Sequence, residues 1–286
     1  MNLERLVYVF LEDLRFLVAS GMVEAADLMQ MDQEVWFELA RRVNLLAALR
    51  AIPIGVPSMM AGRLPIETPW GDPSYLEISS LVSVVVLWAV LFLLGLWIGA
   101  LYFGLVAMVS VDGKFDWQQI TQAWPRWGMQ SVLLTAILLI FLLAVTLPAS
   151  FTIGLMGLLS IQIGQLAFLL FGGVLVWLLF PLLLSPHGIF LYGRNALASI
   201  RDSLGVTRFT SLRTMLFFLV VFVLWQGLNR VWNIPDETSM WTIVGIAGHA
   251  FISTSLLAAS FVYYKQSYDW MQSALSRLTK PNSIKE

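Results

Sequence analysis

The chain has 286 residues, of which 58% are hydrophobic and 12% are charged, with a formal net charge of −1. Soluble domains carry roughly 25% charged residues, so water is not the main solvent of this chain. It contains no cysteine, which excludes disulfides, thiolate metal sites and cysteine nucleophiles. The near-neutral charge argues against nucleic acid as a partner, because surfaces that bind polyanions are basic.

Residues 1–42 predict an amphipathic helical extension in the cytoplasm. Leu3, Leu6 and Phe10 recur at helical spacing, while acidic and basic side chains cover the other face. A charged start followed by an unbroken apolar core is missing, which argues against a cleaved signal peptide. A second amphipathic segment ends at Arg41 and Arg42. These helices are interpreted as packing on the membrane domain, with docking of a protein partner as the alternative.

Residues 43–265 predict an all-α, polytopic membrane domain with about six transmembrane helices. The first span, residues 43–62, has the minimum length but contains Arg50, Pro53 and Pro57, so a kinked crossing is expected. The loop of residues 63–77 follows. Residues 78–111 form the longest uncharged run, which contains Gly95-x-x-x-Gly99, a spacing that permits close helix approach.

The later spans are separated by turns and by basic elbows. An interfacial helix with three tryptophans is expected near residues 117–127, then a crossing over 128–147 that stops at Pro148. Residues 149–184 predict a short interfacial or re-entrant piece and one crossing from about residue 163; two tight crossings hinged at Gly172 and Gly173 are the alternative. Residues 212–231 and 240–264 cross again, and residues 266–286 form an amphipathic, then polar, cytoplasmic tail.

The positive-inside rule predicts the orientation. With six crossings and both termini in the cytoplasm, Arg63 and Arg230 lie outside and Arg50 lies in transit. The other 14 of the 17 Lys and Arg residues then lie inside. If residues 43–62 failed to cross, the outer count would rise to seven against ten, so the charge bias favours the sixth span. The predicted location is the plasma membrane, with membrane lipid as a partner.

A long apolar helix, an aromatic and basic elbow, and an apolar helix back recur along the chain. The stretches around residues 102–134 and 185–217 share this order, and residues 263–278 resemble a truncated third copy. This pattern predicts an internal helical-hairpin repeat.

The second elbow also carries a short motif, A-S-x-R-x-S-x-x-x-T, after a proline near the end of a span. Its residues are Pro181, Ala198, Ser199, Arg201, Ser203 and Thr207. The motif and the spacing of the flanking spans resemble an uncharacterised six-helix bacterial inner-membrane family. That family is similar to the membrane domain fused to some glycerophosphodiester phosphodiesterases. The resemblance implies an accessory or envelope-related membrane protein and transfers no catalytic residue.

The sequence predicts no catalytic, cofactor-binding or metal site. The two histidines, His187 and His249, are far apart in the predicted topology, and the recurring hydrolase and nucleotide-binding motifs are missing. The polar residues inside predicted spans are the remaining candidates for a functional cluster. They are Gln162, Gln165, Gln226, Asn229, Arg230 and His249. Hydrogen bonding between helices is the structural alternative for this cluster, and His249 is expected to be neutral and bonded to a neighbouring helix, with Gln226 as the first candidate.

Two functions fit these features. The first is a membrane protein of accessory or scaffold type, without cofactors, that associates with itself or a protein partner through its amphipathic ends. The alternative is a small permease or channel-like transporter, because hairpin repeats, broken helices and one-sided polar clusters are typical of transporters.

Overall fold

The computed structural model describes residues 44–59, 69–71, 78, 80–236 and 238–279. In these ranges the chain forms six α-helices and two short 3-10 helices. The α-helices are α1 (Leu81–Asp112), α2 (Trp117–Leu159), α3 (Ile161–Leu179), α4 (Ser185–Tyr192), α5 (Ala196–Trp232) and α6 (Trp241–Thr279). The 3-10 helices are Leu45–Leu49 and Phe180–Leu182. The amphipathic helices predicted over residues 1–42 lie outside the described residues.

Five segments of the described chain are long and apolar enough to cross a bilayer. They are Leu81–Asp112, Trp117–Leu159, Ile161–Tyr192, Ala196–Trp232 and Trp241–Arg277. The predicted all-α class with long membrane-spanning helices is confirmed at this level. The sixth spanning helix is not among the described residues.

Helix α2 is longer than the sequence predicts. The expected interfacial helix, the crossing and the stretch after Pro148 form one helix of 43 residues. Asp116 begins it by accepting hydrogen bonds from the backbone N–H groups of Gln118 and Gln119 at 2.8 and 3.3 Å. Pro148 lies inside the helix and removes one backbone hydrogen bond without ending it.

A single residue separates α2 from α3. Ser160 is extended, with φ −164° and ψ 138°, and α3 begins at the next residue. The separate re-entrant piece expected after Pro148 is therefore the last part of α2. Helix α3 is continuous through Gly172 and Gly173, so the alternative of two crossings hinged at these glycines is wrong.

Residues 44–59 form no spanning helix. After the 3-10 helix Leu45–Leu49 the backbone is irregular as far as residue 59, and the prolines that suggested a kink in fact stop helix formation. The predicted kinked helix over residues 43–62 is thus absent from its described part. Two glycines of α1 leave room for this backbone: a Cβ on Gly95 would lie 2.5 Å from the Leu49 carbonyl oxygen, and one on Gly99 would lie 2.6 Å from that of Ile54.

The chain divides into two compact units. The described residues of the first are 44–51, 56–59, 69–71, 78, 80–95, 226–236 and 238–253. In it, the Trp232 ring lies where a Cβ on Gly248 would be, and Leu45 packs with Ile78, Leu87 and Leu91.

The second unit comprises residues 52–55, 96–225 and 254–279 of the described chain. Its core is aromatic: Phe103, Phe190 and Phe261 lie with ring centroids 5.6 to 6.3 Å apart. Trp127 joins them 5.8 Å from Phe190, and its ring fits against α1 because residue 104 is a glycine.

The contact between α2 and α3 gives a test of close helix packing. A Cβ on Gly164 would lie 2.8 Å from the Cα of Gly157, whereas a Cβ on Gly172 of the same helix would meet nothing within 4 Å. We expect Gly164→Ala to lower the free energy of unfolding by about 1 to 3 kcal/mol, because two backbones must separate. Gly172→Ala is the matched control and should be neutral or slightly stabilising. Thermal unfolding in detergent measures both, and equal midpoints for the two variants would contradict the packing described.

Candidate functional site: a buried polar cluster at the second elbow

The second elbow, residues 181–213, joins α3 to α5 through α4 and a sharp turn. Gly193 ends α4 in the left-handed region, with φ 58° and ψ 29°, a conformation that glycine adopts without steric cost. The backbone N–H of Arg194 then donates to the Gly188 carbonyl at 3.1 Å. Asn195 begins α5 by accepting from the Ala198 N–H at 2.8 Å. The turn is therefore specified by its own residues.

Helix α2 binds this turn through two side chains. Arg126 donates to the Gly193 carbonyl at 2.6 Å, and the side-chain oxygen of Gln130 accepts from the Ala196 N–H at 2.8 Å. Each bond satisfies a backbone group that the turn leaves without a helical partner. These contacts fix the start of α5 against α2.

The A-S-x-R-x-S-x-x-x-T motif faces the same turn. Ser199 donates to the carbonyl of Ser185, and Ser203 donates to the carbonyl of Pro181. Both serines and Thr207 are buried, while Arg201 is exposed. The spacing of four residues places the three hydroxyl groups on one face of α5. The motif thus supplies hydrogen bonds to the carbonyls released where α3 gives way to α4.

Helix α5 bends at the end of this hydroxyl face. Thr210 departs from helical geometry, with φ −124° and ψ 26°, and its hydroxyl donates to the Val206 carbonyl at 2.7 Å. The Thr210 hydroxyl oxygen also lies 3.0 Å from the hydroxyl oxygen of Thr214, which in turn lies 2.8 Å from that of Tyr263. Threonines that bond to the preceding turn bend helices.

His187 is at the centre of the cluster, within α4. Its Nδ1 lies 3.2 Å from the Leu184 carbonyl oxygen and its Nε2 lies 2.8 Å from the Ser260 hydroxyl. The Ser260 hydroxyl also lies 2.7 Å from the Leu257 carbonyl. The ring packs on Phe261 and Tyr264, with centroids 4.6 and 5.4 Å away. His187 is 4% exposed, so this serine–histidine pair is buried and joins α4 to α6.

Charged side chains interact on the exposed side of the elbow. Arg194 lies 3.3 Å from the Asp202 carboxylate and donates to the Tyr268 hydroxyl at 3.0 Å. The hydrogen bond to Tyr268 raises the pKa of Arg194 above its usual value, which favours the charged guanidinium. The pair is partly exposed, and its contribution to stability is small.

Two buried hydroxyls of the cluster, those of Thr207 and Tyr264, make no hydrogen bond within the described part of the chain. Tyr264 is fully buried, and its hydroxyl has no hydrogen-bond partner among the residues that the structure describes. The hydroxyl lies beside Gly188, where a Cβ would be only 3.2 Å away.

A cavity of about 160 Å³ lies next to the cluster, between α1, α2, α4 and α6. Its lining combines aromatic and small side chains with charged and polar ones. The polar members are Asp112, Gln119, Tyr192 and Lys265, and the apolar ones include Met108, Trp127 and Phe190.

The polar residues selected from the sequence lie elsewhere. Gln162 and Gln165 are exposed on α3, in the second unit, and Gln162 contacts the Ser160 hydroxyl at 2.5 Å. The other four are in the first unit. Gln226 and Arg230 are exposed, whereas His249 is buried. The backbone carbonyl of Asn229 accepts a hydrogen bond from the Asn233 side chain at 2.6 Å.

His249 differs from its expected pairing. Its Nε2 lies 3.5 Å from the Ser253 hydroxyl, one turn along its own helix, and no hydrogen bond to Gln226 occurs within the described part of the chain. Sequence reasoning selected Ser199 and Ser203 only as part of a family motif and assigned no role to His187. The four-residue spacing of these serines after Pro181 is the signal that points to the cluster.

Comparisons with protein-family models, curated proteins and solved structures find no match to this chain. The family resemblance of the elbow motif therefore stays a prediction. No group of three or more His, Asp or Glu residues that could hold a metal ion occurs in the described ranges.

Two buried hydroxyls of the cluster should respond in opposite ways to removal. We expect Ser199→Ala to lower the free energy of unfolding by about 1 kcal/mol, because the Ser185 carbonyl loses its donor. Tyr264→Phe should leave stability unchanged or raise it, since its hydroxyl is buried without a partner. Thermal unfolding measures both, with the exposed Ser211→Ala as the control for a neutral serine change. A large loss of stability in Tyr264→Phe would show that the hydroxyl has a partner in solution.

Proposed function

We propose that this chain is a multi-pass membrane protein of accessory or scaffold type, related to the cell envelope, that acts through association rather than catalysis. The observation that supports this most is the apolar surface of the α2–α3 hairpin. Between residues 136 and 180 Gly164 alone is buried. Side chains such as Leu158, Leu159 and Trp177 are 85, 80 and 73% exposed.

The hairpin has features that helices use to approach one another in a membrane. Gly154, Gly172 and Gly173 have open space where a side chain would lie, and small residues let a second backbone come close. A groove of about 550 Å³ runs along the hairpin, lined by Ile153, Phe168 and five neighbours, with Gln165 as its polar member. These surfaces suit lipid along most of their length and a helix of a second copy or of another protein where the glycines lie.

The elbow complements this hairpin. Ser199 and Ser203 of the elbow, with Arg126 and Gln130 of α2, bind backbone groups of the elbow, and so serve to hold helices together. A rigid end and an exposed apolar hairpin are properties that an anchoring protein needs.

The orientation is part of this proposal. Lys114, Arg126, Arg201, Arg208 and Lys265 belong to the elbow ends of their helices, which the positive-inside rule assigns to the cytoplasm. The C-terminus then lies on the cytoplasmic side of a bacterial inner membrane. A cytoplasmic N-terminus requires one further crossing before α1, and the internal repeat likewise stays a prediction.

A small permease is the second candidate, and one observation favours it. Residues 50–59 are irregular beside α1, and irregular backbone occurs at membrane depth only where it is buried in protein or lines a water-filled path. The two functions therefore differ in one measurable property of residues 50–59, namely whether water reaches this segment.

The scaffold proposal predicts a defined neighbour at the hairpin. A photoreactive amino acid at Trp177 should give a discrete cross-linked product in native membranes, either a dimer or an adduct with one other protein. The same photoreactive amino acid at position 270, where Trp270 is exposed on the last part of α6, tests whether the contact with a neighbouring protein is specific to the hairpin. If Trp177, Phe168 and Leu158 all give only lipid adducts, the scaffold proposal is wrong.

The natural lack of cysteine allows a second test by single-cysteine labelling. Lys114→Cys should react with a membrane-impermeant maleimide only from the cytoplasmic side. Ser253→Cys, at a position 7% exposed, should stay unlabelled from both sides if the protein is a scaffold. Labelling of Ser253→Cys from either side by a small water-soluble thiol reagent would instead support the permease. Labelling of Lys114→Cys from outside would reverse the proposed orientation.

A further inference from the structure

The cavity beside the elbow contains opposite charges in a small volume. Asp112, the last residue of α1, and Lys265, in the second half of α6, both line it. Neither residue belongs to an ion pair within the part of the chain that the structure describes. A simple anion would be attracted by Lys265 and repelled by Asp112, and a simple cation would meet the reverse. A ligand that carries both charges satisfies the two residues together.

The remaining polar lining suits the same kind of ligand. Gln119, in the first turn of α2, can donate from its amide nitrogen to a phosphate oxygen. Tyr192, which ends α4, also lines the cavity, with its hydroxyl within hydrogen-bonding reach of the Asp269 carboxylate. The apolar lining behind them is aromatic, with Trp127 and Phe190 at a centroid distance of 5.8 Å, and aromatic faces attract ammonium groups.

The cavity volume limits the size of the ligand. Cavities of about 150 Å³ admit a molecule of benzene size, whereas sites for drug-sized ligands measure about 300 to 1,000 Å³. At about 160 Å³ this cavity accommodates a headgroup and excludes a larger cofactor.

The position of the cavity along the helices indicates where the ligand comes from. The 32 residues of α1 end at Asp112, and Phe115 and Trp117 follow with their rings edge to face at 5.1 Å. These two rings are 53 and 62% exposed, as expected of aromatic side chains at the membrane–water interface. The polar side of the cavity therefore lies at the level of lipid headgroups.

We propose that this cavity binds a zwitterionic phosphoethanolamine group, with its phosphate at Lys265 and Gln119 and its ammonium at Asp112. The group is the headgroup of phosphatidylethanolamine or the free phosphoethanolamine molecule. The assignment is independent of the scaffold proposal, since it uses no residue of the hairpin between 136 and 180.

Binding to the detergent-purified, delipidated full chain tests the site. The probes are short-chain phosphatidylethanolamine, short-chain phosphatidylglycerol, which keeps the phosphate but lacks the ammonium, and free phosphoethanolamine. Native mass spectrometry or tryptophan fluorescence gives the affinities. We expect phosphatidylethanolamine to bind roughly tenfold more tightly than phosphatidylglycerol, the effect of one charge-assisted contact.

Matched variants identify the residues. Asp112→Asn should bring the two lipid affinities to within a factor of about two, and Lys265→Met should weaken both. Lys114→Met, an exposed lysine two residues from Asp112 that does not line the cavity, should change neither. Tight binding of the free molecule would assign a soluble ligand, and binding of the lipid alone would assign a membrane headgroup. Equal affinities for the two lipids in the natural chain, or an unchanged ratio in a folded Asp112→Asn variant, would overturn the proposal.

Discussion

Backbone carbonyls need hydrogen-bond donors wherever one apolar helix ends close to the next, and the structure depends on this need being met. Where such an end is buried in the protein, no water is present to replace a lost helical hydrogen bond. The second elbow contains two such places within a few residues, at Pro181 and at Ser185, and each carbonyl accepts a hydrogen bond from a serine of α5. The four-residue spacing of Ser199 and Ser203 is therefore a requirement of the turn. Replacing either with an apolar residue leaves a carbonyl without its donor.

Polar chemistry is distributed very unevenly along the second unit. The elbow holds a buried histidine, hydroxyl groups and the Arg194–Asp202 pair, whereas the α2–α3 hairpin offers hydroxyls that bond back to their own helix, as Thr146 does to Leu142 at 2.8 Å and Thr152 to Pro148 at 2.9 Å. A threonine satisfied in this way presents a methyl group to its surroundings. Apart from the exposed Gln162 and Gln165, the surface of the hairpin is thus largely apolar even where its sequence contains hydroxyl residues.

The sequence predicts best what depends on composition over long stretches. The uncharged run from residue 78 to residue 111 predicts α1, found as Leu81–Asp112, because nothing polar competes with the helix. Prolines are less informative. Pro148 suggests a stop and is passed, since the freed carbonyl of one turn is tolerable within a long helix, while Pro53 and Pro57 suggest a kink and lie in irregular backbone.

The site was harder to predict because it is assembled from distant parts of the chain. His187 and Ser260 are 73 residues apart, and the lining of the cavity beside the elbow comes from four helices. Taken alone, each of these residues looks like one that merely marks the end of a span. Asp112 and Lys265, for example, are charges that interrupt apolar runs. The residues chosen instead were polar side chains inside the predicted spans, and one of them, His249, has its partner one turn away on its own helix.

The length of α2 has a mechanical consequence. At 1.5 Å per residue its 43 residues extend for about 65 Å, against a hydrocarbon layer of roughly 30 Å. Even a tilt of about 40° accommodates only some 39 Å of helix in that layer. The excess must lie in the headgroup region or beyond it. Proline interrupts the backbone hydrogen bonds of this rod at two positions, 125 and 148. Arg126 and Gln130 bind the turn of the elbow beside the first of them, whereas no residue around Pro148 is buried, so the rod bends most easily at Pro148.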